Sequence, residues 1–506
     1  MDLNLSGMLN KLLNKLHTPR WLFWLLVAVL VLRIPSFFEP YSYGDEMIYL
    51  ALGEAIRQKI PLYSGIHDNK PPLLYIIAGV AGSLFWFKAI LAMWHLVTVY
   101  VFWKLTEILF KKNKSAQVVA TIIFAILTTI PLLEGNIANA ELFMIGPTIL
   151  AFIILLSKKL TVKNLFLSGI LFSVSTLFKV PAAFDIPAVV FLWLATSKLT
   201  KKNIKTIAKN TLILAAGFLA PILVTFIWYF LQGAFREYLI AAFLQNVGYL
   251  SSFRPGDVQR PFLERNGPLL IRGLITVFGL AVILWKKSKL SKTFVLSTAW
   301  LLLTLFAVTL SERPYPHYLI QSVPPISLLL GIFFIRKNFE QILAIIPLSL
   351  AFFVPFYFNF WYYPTAPYYE RFIKFAGGQM DKAEYLSTFG SHVPRNYQIA
   401  DYIAATTAPN EQIFVWGDSS AIYALSKRLP PIKYVADYHI RDFSTSREVI
   451  EGLAGNPPEI IVVLPEAQSF PEFDYFLRNN YGLVEIIDGA EIWKLLSERV
   501  RHLLSS

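Results

Sequence analysis

The sequence predicts a polytopic α-helical membrane protein that ends in a small soluble α/β domain. Of its 506 residues, 55% are hydrophobic and only 16% are charged, and the mean hydropathy is +0.52. A soluble globular protein carries about 25% charged residues, so this chain could not cover a water-exposed surface. The apolar residues also lie in blocks of about 17 to 25, the length of helix that crosses a hydrocarbon core of about 30 Å.

Apolar blocks predict about eleven membrane-spanning helices within residues 1–357. They cover residues 21–38, 88–110, 116–133, 142–157, 165–178, 181–197, 210–231, 267–285, 292–310, 318–335 and 339–357. A further apolar stretch, residues 72–87, is predicted to be an interfacial or re-entrant helix. A crossing there would place the basic cluster at Lys111 and the acidic segment 134–141 on the wrong sides of the membrane.

The basic residues predict the orientation. A net charge of +13 would favour nucleic acid as the partner of a soluble protein, but here the charges lie between the spans. The clusters are Lys11, Lys15 and Arg20; Lys111, Lys112 and Lys114; Lys158, Lys159 and Lys163; residues 198–209; residues 286–292; and Arg336 and Lys337. The positive-inside rule places these loops in the cytoplasm. The N-terminus is then inside, residues from 358 onward are extracytoplasmic, and no nucleic acid is expected to bind.

The first span is predicted to be an uncleaved signal anchor, because it has no small-residue cleavage site and the chain continues across the membrane. The chain has no cysteine, which excludes disulfides, thiol nucleophiles and thiolate metal sites. These features predict a multi-pass protein of the cytoplasmic membrane.

Beyond a connecting segment, residues 358–393, the pattern becomes that of an α/β domain over residues 394–506. Predicted helices cover residues 394–407, 419–426 and 471–479, and predicted strands cover residues 412–416 and 459–464. Residues 483–495 predict a hairpin that turns at Asp488-Gly489. Alternating strands and helices favour a layered α/β fold. The domain has no glycine-rich phosphate loop and no triad spacing, which favours a structural or acceptor-docking role.

The catalytic chemistry is expected in the outer loops, residues 39–87, 134–141, 232–266 and 311–317. Loop one, residues 39–70, contains Tyr43-Gly44-Asp45-Glu46 and leads into Asn69-Lys70-Pro71-Pro72-Leu73. Adjacent carboxylates just outside a bilayer can act as a general base or bind a cation, because low-dielectric surroundings keep a proton acceptor near its working pH. In the alternative, Asp45 only caps the following helix, and Lys70 only marks a helix start with its ammonium at the lipid headgroups.

Loop one resembles the first outer loop of the GT-C glycosyltransferases of the protein O-mannosyltransferase and lipid A aminoarabinose transferase type. The features that carry the resemblance are the acidic pair after the first span and Lys-Pro-Pro-Leu about 25 residues later. Two further segments are similar to those of bacterial members: Asn139-Ala140-Glu141 and Glu312-Arg313-Pro314-Tyr315-Pro316-His317-Tyr318. The many-span core with an outer α/β domain is also similar, so the resemblance covers nearly the whole chain.

The resemblance implies an inverting transfer of one sugar from a polyprenyl-phosphate carrier to a hydroxyl acceptor on the outer face. Asp45 matches the catalytic acidic position and would deprotonate the acceptor, while Glu46 would position it or tune its pKa. The remaining assignments are Lys70, Arg313, His317 and Tyr315 for the donor phosphate, and Glu141, Asn69 and Tyr43 for the sugar or acceptor. The implied partners are the polyprenyl-phosphate sugar, membrane lipid, and a glycan, lipid or protein hydroxyl.

The chain departs from the family pattern at two places in loop one. Tyr43-Gly44 precedes the acidic pair where the family has an arginine, and Asn69 stands before Lys70 where the aminoarabinose enzymes tend to have an acidic residue. The sugar is therefore left open. No cofactor is predicted to be required. Adjacent carboxylates with His317 could bind a divalent cation, but the oxygen ligands would be sparse, so transfer is predicted to be metal-independent.

Other interpretations of the same residues stay open. Arg313, Tyr315, His317 and Tyr318 could form only an interfacial anchor, and Glu141 could only favour a helix N-terminus. Lys179 and Asp185 could pair with one another. Residues 232–266 could form a mobile lid or only a solvated loop. For the whole chain, a transporter or flippase of lipid-linked sugars would need ionisable residues buried in mid-span, and the predicted spans are nearly free of them. A scaffold would not need eleven spans.

Overall fold

The computed structural model describes residues 18–248, 261–335 and 339–497. Several residues of the predicted basic clusters and of the predicted lid lie outside the described residues. They are Lys11, Lys15, Arg254, Asp257, Arg260, Arg336 and Lys337. The described chain is mostly helical, with one four-stranded sheet near its C-terminal end.

The helices before the sheet have the following bounds. They are Arg20–Arg33, Gly44–Arg57, Leu73–Ala81, Leu84–Phe110, Lys114–Leu127, Ala140–Ser157, Val162–Phe178, Ile186–Thr196, Lys201–Leu231, Phe235–Leu239, Gln245–Gly248, Phe262–Lys286, Lys292–Val308, Val323–Ile332, Phe339–Tyr357, Thr365–Ala376, Lys382–Ser387 and His392–Thr406. Shorter 3-10 segments include Ile34–Phe38, Pro131–Leu133, Val180–Asp185 and Pro316–Ser322, and Ile240–Leu244 is a π-helix.

Six helices of the described residues are long and apolar enough to cross a membrane. They are Arg20–Phe38, Leu84–Phe110, Ala140–Ser157, Lys201–Leu231, Phe262–Lys289 and Phe339–Tyr357. Four further apolar helices are shorter, namely Lys114–Leu127, Val162–Phe178, Val180–Thr196 and Lys292–Val308. The number of crossings therefore stays a prediction.

A break at Gly82 corrects the predicted boundary between residues 72–87 and the second span. The helix Leu73–Ala81 ends at Gly82, whose φ of 65° is left-handed, and the next helix already begins at Leu84 rather than at residue 88. Glycine adopts this conformation without a steric penalty and commonly ends helices in this way. Hydropathy does not show the break, because Gly82 lies within a continuous apolar run.

The chain divides into two compact units. Unit one comprises the described residues of Met1–Phe37, Lys88–Phe226 and Gln245–Thr365, and unit two comprises those of Phe38–Phe87, Ile227–Leu244 and Ala366–Ser506. Unit one contains closely packed helices: a Cβ added at Gly169 would lie 2.2 Å from the carbonyl oxygen of Leu214. Unit two contains loop one and the sheet.

The sheet has the strand order β1-β2-β4-β3, with β1 Ile413–Trp416, β2 Ile460–Val463, β3 Tyr481–Ile487 and β4 Ala490–Leu495. The first two strands are parallel, and the other pairs are antiparallel. One face packs on a buried cluster that includes Phe414, Trp416, Ile461, Phe473 and Trp493. Burial of these aromatic and β-branched side chains holds the layers together.

The secondary structure predicted for this region is largely confirmed. The predicted helices correspond to His392–Thr406, Ser420–Ser426 and Pro471–Asn480, and the hairpin turns at Asp488-Gly489, where both φ values are positive. Two helices were missed, Asp437–Phe443 and Ser446–Gly455. The second carries a signal that could have revealed it, since Thr445 and Glu448 form a capping box.

Loop one packs into unit two through close backbone contacts. Its helix Gly44–Arg57 lies so near Leu73–Ala81 that a Cβ at Gly53 would be 2.5 Å from the backbone nitrogen of Gly79. Loop one also contacts the α/β region: Gln58 Nε2 donates to the carbonyl of Lys427 at 3.2 Å. Loop one is thus part of a compact unit with the α/β region.

Replacing Gly53 with valine is expected to destabilise unit two by about 1–3 kcal/mol, because the new side chain would meet backbone atoms that cannot rotate away. The measurement is the thermal unfolding midpoint of the purified protein in lipid. Gly455→Ala is the control, because a Cβ at Gly455 meets open space. An unchanged midpoint for Gly53→Val would contradict the close helix contact.

Candidate functional site

The predicted site residues fall into two sets, one in each unit. Tyr43, Asp45, Glu46, Asn69 and Lys70 belong to unit two. Glu141, Arg313, Tyr315 and His317 belong to unit one.

In unit two, the structure brings the ammonium of Lys70 between two carboxylates. Its Nζ lies 3.8 Å from Oδ2 of Asp45 and 3.8 Å from Oδ2 of Asp68. The side chains of Asp45 and Lys70 are 29% and 19% exposed, whereas that of Asp68 is only 2% exposed. Charges removed from water require such partners. Asp45 of the acidic pair and Lys70 of the Lys-Pro-Pro motif therefore lie together, and Asp68 is a third member that the motifs did not reveal.

Tyrosine side chains from the flanking helices fix both carboxylates. The hydroxyl of Tyr49 donates to Asp45 Oδ2 at 2.8 Å, and that of Tyr75 donates to Asp68 Oδ2 at 2.7 Å. The spacing of Asp45 and Tyr49 on one helix is i,i+4, which brings side chains together on one face. The Lys70 ammonium also lies 4.9 Å from the centre of the Tyr49 ring, a cation–π contact.

The backbone around Lys70 is held as firmly as its side chain. Its N–H donates to the Tyr75 hydroxyl at 3.1 Å, and its carbonyl accepts from the Tyr63 hydroxyl at 2.9 Å. The ring of Tyr63 in turn lies 5.0 Å from that of Tyr238 and 5.2 Å from that of Tyr229. Residues 227–244 therefore support loop one through aromatic packing.

These contacts bear on two of the alternative interpretations. Tyr43, not Asp45, is the N-cap residue of the helix Gly44–Arg57, and Asp45 lies in its first turn. The ammonium of Lys70 lies between two carboxylates, so Lys70 does more than mark a helix start. A negative side chain in a first helical turn still favours the helix electrostatically, so Asp45 also has this structural effect.

Asp68 is ionised through its partners. Burial raises the pKa of its carboxyl, but Lys70, His439 and hydrogen bonds from Tyr75 and the Asn69 N–H outweigh burial and bring the pKa below its ordinary value. Loop one offered one hint of this residue: the family pattern has an acidic residue directly before the lysine, and Asp68 lies one position further back.

Three further residues predicted to act in the site also belong to loop one. Glu46 is 1% exposed, Tyr43 is partly exposed, and the N–H of Asn69 donates to Oδ1 of Asp68 at 2.8 Å. Their roles toward a sugar or acceptor stay predictions.

In unit one, a second buried network surrounds His317. Its Nδ1 pairs with Oε2 of Glu134, and its Nε2 lies 4.0 Å from Oε1 of Glu141. Glu141 also pairs with the ammonium of Lys179, which lies 3.6 Å from the centre of the Tyr318 ring. The side chains of His317, Glu134 and Glu141 are at most 5% exposed. Glu134 and Lys179 are members of this network that the sequence analysis did not assign.

The network corrects the expected pairing of Lys179 with Asp185. Asp185 instead accepts from the indole Nε1 of Trp300 at 2.8 Å and lies 3.4 Å from Nε2 of Gln321. Lys179 pairs with Glu141 because the helix Val162–Phe178 packs against Ala140–Ser157. Sequence distance therefore did not predict the partner of Lys179.

The interpretation of segment 311–317 as an interfacial anchor fits some of its residues and not others. It is wrong for His317, which is only 4% exposed and bound to Glu134. Arg313 and Tyr315 are exposed, as an anchor or a phosphate-binding pair requires. Over residues 18–248, 261–335 and 339–497, no group of three or more His, Asp and Glu side chains is arranged to hold a metal ion.

Solved structures with similar folds identify the architecture. ArnT from Cupriavidus metallidurans bound to undecaprenyl phosphate is similar over 94% of this chain and 98% of that chain, with a TM-score of 0.57 and 12% identity. Its apo state is similar over 94% and 97%, with a TM-score of 0.53 and 11% identity. ArnT is a GT-C glycosyltransferase. The chain has the GT-C fold.

The GT-C fold confirms the architecture that the loop motifs implied. Together with the six long apolar helices it makes the chain a multi-pass membrane protein. Residues 395–494 also match a sequence family described as "Putative competence-induced protein Ccs4 C-terminal domain". This match covers the sheet and its helices. A comparison with curated proteins finds no match to the chain.

Asp68→Asn is expected to destabilise the GT-C protein by on the order of 3 kcal/mol at pH 7, because it removes one partner of a buried charge cluster. The lowered pKa of Asp68 sets the pH dependence. Its ionised form contributes stability above the ordinary value near about pH 4, and this contribution is lost as the pH falls through the folded-state pKa. The difference in unfolding midpoint between parent and variant should therefore shrink in acid.

The control for this comparison is Asp401→Asn, which changes an exposed carboxylate on the helix His392–Thr406. It should leave the midpoint nearly unchanged at every pH. A deficit for Asp68→Asn that is the same at pH 7 and in acid would show that charge is not the source of its effect.

Proposed function

We propose that the chain is an inverting glycosyltransferase of the cytoplasmic membrane. It moves a single sugar from a polyprenyl-phosphate donor to a hydroxyl acceptor on the outer face. The observation that carries the proposal is the pairing of Asp45 with Lys70, 3.8 Å apart, in loop one. Such a pair offers both groups that the reaction needs, a proton acceptor and a cation for a phosphate. The GT-C fold shared with ArnT bound to undecaprenyl phosphate supports the same proposal.

In the proposed reaction, the acceptor hydroxyl oxygen forms a bond to the anomeric carbon while the bond from that carbon to the phosphate oxygen breaks. Asp45 takes the hydroxyl proton, and the electron pair of the broken bond leaves with the polyprenyl phosphate. Attack opposite the leaving group inverts the anomeric configuration. General-base catalysis of this kind contributes about 10²–10⁴ in rate.

Lys70 is proposed to bind the donor phosphate. An ammonium has three N–H donors, so Lys70 can contact Asp45, Asp68 and one phosphate oxygen together. Its side chain is 19% exposed, which leaves part of it accessible to a ligand. The contacts of its backbone with Tyr63 and Tyr75 hold the ammonium at a fixed place, and positioning is what a transfer reaction requires.

The residues of unit one are proposed to have two kinds of role. Arg313 and Tyr315 are exposed and suit a lipid phosphate, since a guanidinium binds phosphate through paired N–H donors. His317 and Glu141 are buried and bound to protein partners, so any contact with phosphate or sugar needs them to exchange those partners. No cofactor is proposed, and transfer is proposed to be independent of metal ions.

A flippase of lipid-linked sugars is the second candidate, because the structure buries ionisable residues inside predicted spans. Arg33 Nε lies 3.3 Å from Nδ1 of His95, and Asp185 is 2% exposed. Arg33, His95 and Asp185 are exceptions in spans that are otherwise nearly free of such residues. Their contacts are internal: Arg33 also donates to the carbonyl of Thr128 at 3.1 Å. Pairing within the protein favours a structural role, so the glycosyltransferase is preferred.

Asp45→Asn is expected to lower donor turnover by about 10²-fold or more, because it removes the proposed base. Folding should survive, since asparagine keeps the shape and an oxygen that can accept from Tyr49. The measurement is the rate of sugar transfer from a polyprenyl-phosphate donor by protein in liposomes, together with the unfolding midpoint. The exposed Asp474→Asn is the matched control. Parent-like turnover in Asp45→Asn would remove Asp45 as the base.

Lys70→Met and Arg313→Ala are each expected to raise the KM for the donor about tenfold or more, because a charged hydrogen bond to phosphate contributes roughly 1.5–3 kcal/mol. Steady-state kinetics with varied donor measures this. Lys374→Met, at an exposed ion pair with Glu370, is the control. Unchanged kinetics in both site variants would remove the phosphate-site assignment.

A further inference from the structure

We propose that the C-terminal α/β region contributes a positioning residue to the site: His439 holds Asp68, and Asp68 in turn holds the Lys70 ammonium beside Asp45. The inference rests on the proposed glycosyltransferase function and extends it to a residue outside loop one. It also gives the α/β region a role in transfer other than docking of the acceptor.

The contacts form a continuous chain. His439 lies on the helix Asp437–Phe443, and its Nε2 is 3.5 Å from Oδ1 of Asp68. The other oxygen of Asp68 accepts from the Tyr75 hydroxyl at 2.7 Å and lies 3.8 Å from Lys70 Nζ. Oδ1 also accepts from the N–H of Asn69 at 2.8 Å, so His439 is a second partner of this oxygen. Loss of the His439 contact would weaken the hold on Oδ1 and let the carboxylate that faces Lys70 shift.

The position of His439 argues against packing alone as its role. Its side chain is 3% exposed, and its ring lies among aromatic rings, including Tyr438 at 4.4 Å and Phe443 at 5.8 Å between centroids. A buried imidazole needs a polar partner. Its Nδ1 has no hydrogen-bond partner among the described residues, so the Nε2 contact with Asp68 is the polar contact that orients the ring.

A neutral histidine suits this role better than a charged one. Burial is the main cause that lowers the pKa of His439, and nearby Lys70 lowers it too, although Asp68, Asp45 and Asp442 act in the opposite direction. The neutral ring can carry its proton on Nε2 and donate toward Asp68. It then orients the carboxylate without adding a positive charge that would compete with Lys70 for it.

A backbone hydrogen bond and ring packing fix loop one against the α/β region near Asp68. The N–H of His67, next to Asp68, donates to the carbonyl of Lys433 at 2.7 Å. The His67 ring also packs on Tyr434 and Phe443, with centroids 5.4 and 5.3 Å away. The distance from His439 to Asp68 therefore depends on a fixed backbone and not only on side-chain rotamers.

The test compares three substitutions of His439 in the full-length protein in liposomes. Gln can place an N–H donor near the position of Nε2, Asn places it nearer to Nδ1, and Leu removes it. We expect transfer by the Gln variant to stay within about threefold of the parent, and transfer by the Asn and Leu variants to fall about 10–100-fold, as is typical when a polar contact that orients a functional group is lost. His392→Leu, at an exposed histidine of the same region, should match the parent.

A double-mutant comparison separates positioning from general destabilisation. If His439 acts through Asp68, then Asp68→Asn with His439→Leu should lose no more activity than the more damaging single variant. The Gln and Asn variants keep the test valid if the Leu variant does not fold. Equal activity of the Gln and Asn variants, or losses that multiply in the double variant, would overturn the inference.

The same experiment distinguishes the inference from the proposed function. Turnover by the parent that is lost in Asp45→Asn but unchanged in His439→Leu would overturn only the role of His439. Absence of transfer by the folded parent with every donor would overturn both.

Discussion

The rest of the proposed site depends on one electrostatic constraint, the Lys70 ammonium shared by the carboxylates of Asp45 and Asp68. Removing three charges from water is costly, and such a cluster persists only where geometry is good and further hydrogen bonds complete it. Tyr49 and Tyr75 supply those bonds. The partly exposed ammonium of Lys70 and carboxylate of Asp45 are the members of this cluster that a ligand can reach.

This constraint explains why loop one is built into unit two rather than left as a mobile connection. Close backbone approach at Gly53, aromatic packing around Tyr63 and the bond from His67 to Lys433 all fix the segment that carries Lys70. The α/β region then has a structural reason to be present. It supplies His439, which contacts Asp68 of loop one. The segment matched by the Ccs4 family includes His439.

Local patterns made the helices, the strands and loop one predictable, but not the partners of buried charges. The apolar runs of β1 and β2 and the Asp488-Gly489 turn each consist of a few consecutive residues, so their positions could be predicted from the sequence. The contact of Asp68 with His439 joins residues far apart in the chain, and no spacing rule could reveal it. The same is true of the contact between His317 and Glu134. The partner expected for Lys179 was wrong because Asp185 is nearer in sequence than the partner found in the structure, Glu141.

The most direct test of the account is transfer by the purified protein in liposomes, supplied with a panel of radiolabelled polyprenyl-phosphate sugars and with hydroxyl acceptors. We expect one class of donor to lose its sugar to an acceptor, polyprenyl phosphate to be released in equal amount, and the product to have the inverted anomeric configuration. Retention of configuration would contradict direct displacement with Asp45 as the base. Movement of intact donors across the bilayer without any transfer would contradict the glycosyltransferase and favour a flippase.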